Sequence, residues 1–216
     1  MKPGWTYLGL LLALLIVFCG CQSMYYGAME KIGVHKREIM VDRVKQARDA
    51  QKDAKQQFIK ALEQFRSVVA YGGGDLQSMY DKLRSTLDKS EDRAAKVHER
   101  IQAVEDVSEA LFKEWRSELK LYSSASLRRD SEQKMVQTRG KYEKLIGAMK
   151  KAESGLEPVL VPMRDQVLYL KHNLNAKAIG SLSDELHNVQ TNVTSLIRDM
   201  ENAIAEADRF IATLRE

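Results

Sequence analysis

Four segments of this chain place apolar or small residues at alternating steps of four and three, and that spacing limits the fold more than any other feature. The first reads Met40, Val44, Ala47, Gln51, Ala54, Phe58, Ala61, Phe65, Val68. The second reads Leu76, Tyr80, Leu83, Leu87, Ser90, Ala94, Val97, Ile101, Val104, Ser108, Leu111, Trp115. The third reads Ser131, Met135, Thr138, Tyr142, Leu145, Met149, Ala152, Leu156, Val159, and the fourth Leu182, Leu186, Val189, Val193, Leu196, Met200, Ala203, Ala207, Phe210, Leu214. A heptad phase held this long winds helices together in left-handed supercoils with side chains interlocked along the seam. Composition agrees: aromatics are 7% of residues, proline occurs 3 times, and Ala, Leu, Glu, Lys, Arg and Gln dominate.

The breaks are as readable as the runs. Tyr71-Gly72-Gly73-Gly74-Asp75 reads as a turn, with Asp75 placed to cap the second helix. Ser123-Ser124-Ala125-Ser126 is a second break, where Ser124 or Ser126 caps the third helix. The third spans Asn173 to Ser181, with Ser181 and Asp184 spaced as a weak capping box. Pro158 and Pro162 fall inside the third helical pattern, which predicts a kink or short interruption there.

Short connections between long helices make sequence neighbours antiparallel. The expected fold is therefore all-α: an elongated antiparallel coiled-coil bundle of about four long helices, up-down-up-down. Formal charge supports the pairing, since the four segments are net positive, negative, positive and negative in turn. Such alternation selects partners more than it adds stability.

The N-terminus sets the expected address. An apolar run from Tyr7 to Cys19 follows a head whose only charged side chain is Lys2, and it is short for a membrane span. It ends in Phe18-Cys19-Gly20-Cys21, which resembles a bacterial lipobox. Gly20 suits the position before the cut, and Cys21 becomes the lipidated first residue of the mature chain. Phe18 stands where leucine is usual, and a plain signal anchor kept in the inner membrane is the alternative. Gln22 in place of Asp removes the inner-membrane retention signal, which points to the outer membrane. The expected division is a signal peptide at 1–20, a lipidated tether at 21–30 and a single helical-bundle domain at 31–216.

With Cys19 removed and Cys21 lipidated, no free thiol is expected, which argues against disulfides, cysteine-bound metals and cysteine nucleophiles. A weak basic excess, +4 overall, is not that of a nucleic-acid binder. Gly72-Gly73-Gly74 lacks the lysine and preceding strand of a phosphate loop. No Gly-x-Ser-x-Gly elbow occurs, and Asn192-Val193-Thr194 matches a glycosylation sequon without meaning in a bacterial envelope. Of the four histidines, His35, His98, His172 and His187, the last two flank the third break and are expected to face each other across it. Together with Asn173, Asn175 and Glu185 they form a conceivable metal site, set against the plainer reading of solvated histidines near helix ends. No metal, cofactor or catalytic residue is expected.

Two surfaces stand out. The turn at 123–127 returns to the end where the chain enters the bundle, bringing Lys31, Lys36 and Arg37 near Arg128 and Arg129 for contact with anionic headgroups. The opposite end carries Tyr71, Leu76, Lys171, His172, Asn173 and Asn175 as a candidate partner surface, and Leu168, Tyr169, Leu170 and Leu174 add more apolar residues than one stripe needs. Trp115 and Tyr122 are both expected to face inward.

The blocks MEKIGVHKREIMVDRVKQARDAQ (Met29 to Gln51), SEALFKEWRSELKLYSSASLRR (Ser108 to Arg129) and VLYLKHNLNAKAIGSL (Val167 to Leu182) carry a resemblance. They resemble a family of Gram-negative bacterial lipoproteins catalogued as domain of unknown function 2959. The resemblance implies a helical, lipid-anchored envelope protein and brings no activity or site residue with it. The expected function is a non-enzymatic structural or protein-interaction element on the periplasmic face of the outer membrane. Its partner is another envelope protein or a second copy, and no nucleic acid. The alternative is a lipid- or metal-binding envelope module. Thr213-Leu214-Arg215-Glu216 lacks the terminal lysine used for covalent attachment to the cell wall.

Overall fold

A computed structural model describes residues 35–70, 75–173 and 176–215. The expectations placed on Cys21, Lys31, Tyr71 and Asn175 lie outside those residues. The helices are α1 (Lys36–Val69), α2 (Leu76–Glu118), α3 (Ala125–Ser154), α4 (Glu157–His172) and α5 (Ala176–Arg215), with a 3₁₀ turn at Leu119–Leu121. At 1.5 Å per residue α2 is about 65 Å long. No strand occurs among the described residues.

Local chemistry sets the boundaries. Asp75 accepts from the backbone N–H groups of Gln77 and Ser78, satisfying two donors that the first turn of α2 leaves free. Of the two serines considered for α3, Ser124 is the cap, accepting from Leu127 N–H. The helix after the third break starts earlier than the sequence suggests, at Ala176. Ser181 therefore lies inside α5, and its expected capping box with Asp184 does not mark the helix start. Ala176, Lys177 and Ala178 are strong helix formers, which lets the helix begin close to the turn.

The prolines act as expected, but through a particular bond. Helix stops at Ser154, turns through Gly155 and Leu156, and restarts with Pro158 in the first turn of α4, where a missing N–H costs little. Pro162 lies further inside α4 and leaves the carbonyl of Pro158 without its helical donor. Asn192 of α5 donates its side-chain amide to that carbonyl at 2.9 Å. Such a bond contributes about 1 kcal/mol. Where the sequence offered only a sequon, Asn192 repairs a proline break.

The helices form one antiparallel bundle in which α1 packs against α2 and α5, and the α3–α4 arm closes the remaining side against α2 and α5. All nine positions of the first heptad series are buried, from Met40 to Val68. The remaining series are buried or half-buried throughout. Phe112, Tyr142 and Phe210 join α2, α3 and α5, with ring centroids 5.8 and 6.3 Å apart. Arg139 lies over the Phe112 ring at 5.4 Å. Burial raises the Tyr142 hydroxyl pKa, against a lowering hydrogen bond with Ser108.

The alternating charge of the segments appears as ion pairs between neighbours. Arg48 and Lys55 of α1 meet Asp208 and Glu201 of α5, at 2.7 and 3.2 Å. Lys151 of α3 meets Asp199 at 3.0 Å, and Lys150 meets Glu105 of α2. Arg93 with Asp53, at 3.2 Å, runs the other way, cation on α2 and acid on α1. Most partners are half-exposed, so these pairs chiefly fix register.

Candidate functional site

The bundle has two unlike ends. At the near end α1 begins and α5 finishes; at the far end α1 finishes and α5 begins.

Lys36 opens α1 and is buried, its Nζ 2.8 Å from Glu114 Oε1 of α2. Arg37 donates from Nε to the backbone carbonyl of Leu214 at 2.6 Å, satisfying an acceptor in the last turn of α5. Both residues were expected at the membrane surface, and both hold helix ends together; Lys36 is buried in doing so, whereas Arg37 stays exposed. A cation with a buried ammonium and a carboxylate partner is not available to a distant headgroup. Arg128 and Arg129 are exposed, as a surface role requires.

Beyond that level α2 and α3 continue as a projecting hairpin. Trp115 donates from Nε1 to Ser131 Oγ at 2.9 Å, joining the two helices near its base. The Trp115 ring is half-buried, but Tyr122 is 42% exposed rather than inward. It lies past the 3₁₀ turn, where α1 and α5 no longer supply a core to face. Leu121 is 79% exposed and Leu127 58%. At the base of the hairpin lies an open groove of about 610 Å³, lined among others by His35, Trp115, Lys134, Gln137, Lys141 and Thr213. Lys141 donates to Thr213 Oγ1 at 3.2 Å, and Lys134 pairs with Asp130 at 3.0 Å.

At the far end Lys171 and His172 are exposed, Leu76 is half-buried, and Asn173 turns back to donate to the Tyr169 carbonyl at 3.0 Å. Leu168 is 60% exposed and Tyr169 38%, whereas Leu170 is buried in the core. The extra apolar residues foreseen there thus divide between core and surface.

The histidines do not form the pair expected of them. The Asn192–Pro158 bond and the 3.0 Å Lys151–Asp199 pair fix the register of α5 against α3 and α4. In that register His187 lies level with Met163, so about 13 Å of helix axis separates it from His172. Both are exposed. His98 pairs with Glu153 on α3, and His35 precedes α1 without a side-chain capping bond. Among the described residues no three His, Cys, Asp or Glu side chains converge as a metal site would require.

A three-member ion-pair cluster joins α2 to the restart after the proline break. Arg164 of α4 hydrogen-bonds Glu91 of α2 and, at 2.8 Å, Glu157 in the first turn of its own helix. The guanidinium holds the Glu157 carboxyl below its ordinary pKa, and Glu157 with Glu91 raises that of Arg164. The arrangement is a clamp, not an acid–base pair facing a pocket. No helix among the described residues is long and apolar enough to cross a membrane.

These features define an all-α, antiparallel bundle protein with open surfaces at both ends. The chain matches the family described as protein of unknown function DUF2959 over residues 25–214, and it belongs to that family. No curated protein and no solved structure matches it.

Proposed function

We infer that the chain is a lipid-anchored, non-enzymatic element of the Gram-negative envelope, held in the outer membrane through Cys21 and projecting into the periplasm toward a protein partner. The observation that carries this reading is directional. The described chain enters the bundle at one end, fourteen residues after Cys21, and α1, about 50 Å long, leads from there to the far end. An anchored near end therefore places Lys171, His172, Leu168 and Tyr169 well away from the bilayer. Scattered histidines, the clamp role of Arg164 and grooves open to solvent favour docking over catalysis.

A photo-crosslinking amino acid placed at Lys171 or His172 tests the reading in intact cells. The account expects discrete adducts with an envelope protein or a second copy from the far end, and none from exposed mid-bundle positions such as Ala95. Uniform background crosslinking at all positions would remove the partner claim.

A further inference from the structure

The near end holds a second surface that the anchoring reading does not use. Between Leu119 and Arg129 the hairpin tip carries three cations, Lys120, Arg128 and Arg129, and no carboxylate. The same stretch exposes Leu121 at 79%, Leu127 at 58% and Tyr122 at 42%. Elsewhere in the molecule cations are repeatedly matched with acids across helix seams. Glu118 and Asp130 flank this stretch, but Asp130 pairs with Lys134 rather than with an arginine of the tip, and two leucines turn outward.

We propose that this tip is a bilayer-surface contact, with Leu121, Tyr122 and Leu127 entering the interface and Lys120, Arg128 and Arg129 meeting anionic phospholipid headgroups. The proposal rests on the Cys21 anchor, which puts the near end at the membrane. Reach is sufficient. The Lys36–Glu114 pair sets α1's start level with Glu114, and the hairpin runs on to Leu121, about 10 Å further. The stretch from Cys21 to His35 spans at most about 45–50 Å, so an anchored bundle can lower its tip onto the lipid. Aromatic and aliphatic side chains beside cations suit the headgroup boundary, where the first bury apolar surface and the second attract negative charge. Tip contact fixes the tilt of the anchored bundle, and so sets the height at which the far end is presented.

The full chain, purified from membranes and reconstituted into vesicles containing phosphatidylglycerol, provides the test. An environment-sensitive fluorophore is attached at Leu121→Cys, with Leu127→Cys as a second tip position and Gln77→Cys at the far end as reference. All three sites are exposed, so labelling leaves the core intact. Lipids carrying a nitroxide near the headgroup are expected to quench the two tip labels and not the reference. Adding Arg128→Glu and Arg129→Glu is expected to abolish tip quenching while the chain stays on the vesicle. Tip labels that remain as water-exposed as Gln77→Cys on an anchored chain would overturn this inference alone. A chain that floats free of the vesicles overturns the anchoring reading as well.

Discussion

Helices α1 and α3 carry heptad patterns of equal regularity, yet the bundle treats them differently. Along α1 every position of its series is buried, most of them fully, because α2 and α5 enclose it from two sides. Along α3 the buried residues are Met135, Thr138, Leu145, Met149 and Ala152, and nothing before Met135 is buried. The first turns of α3 lie past the ends of α1 and α5, so the same periodicity has less to pack against. Periodicity reports which face turns inward; the number of neighbours at that level decides how deeply it is buried.

The contrast should be largest in the response to truncation. Phe58 of α1 is fully buried, and Phe58→Ala should lower stability by about 3–5 kcal/mol in chemical denaturation. Val136→Ala, on the exposed face of α3, should stay within about 0.5 kcal/mol. Comparable losses at the two positions would mean that α3 is covered by something the contrast omits.

Gln51 sharpens the comparison from inside α1. It occupies a heptad position with no exposed surface, and neither its amide oxygen nor its nitrogen has a hydrogen-bond partner. Replacement by Leu, of similar size, should raise stability by about 1–2 kcal/mol, since a desolvated amide is exchanged for packing. A loss instead would show that the amide makes a bond in solution.

Glycines probe α3 in the opposite sense. An added Cβ at Gly140 or Gly147 meets nothing within 4 Å, whereas at Gly155 it approaches Leu196 Cδ1 to 3.2 Å. Gly147→Ala should therefore add about 0.5–1 kcal/mol by restricting the unfolded chain, and Gly155→Ala should give no such gain. Thermal melts of the two variants distinguish a loosely packed arm from its tightly seated break.

The smallest effect belongs to the Arg164 clamp. Because Arg164 lowers the folded-state pKa of Glu157, the bond's contribution is present above the ordinary glutamate value and lost as pH falls through the folded value. Glu157 is 65% exposed, so solvent limits the contribution to about 0.5 kcal/mol. Arg164→Gln should be slightly less stable than wild type at pH 7, with the gap narrowing as the solution is acidified through the carboxylate range.

Most of the bundle was legible in the sequence because heptad spacing, turn glycines and serine or aspartate caps are local properties. Gln51 and Ser90 could be placed inward only because periodicity overrode polarity. The misreadings at the ends have a common physical cause. The burial of Lys36 and the exposure of Tyr122 depend on where neighbouring helices stop, which no local pattern encodes. The His172–His187 pairing failed because register across a hairpin is set by bonds such as Asn192 to Pro158, and the early start of α5 shifted the count. Asn192 itself was visible only as a sequon, although Pro162 already implied an orphaned carbonyl four residues back.

The whole directional account, near end at the lipid and far end at a partner, depends on one side chain. Metabolic labelling with palmitate, comparing wild type with Cys21→Ser, tests it most directly. The account predicts a labelled, membrane-fractionating wild type and a Cys21→Ser variant without label. Equal labelling of the two, or no label in either, would contradict it.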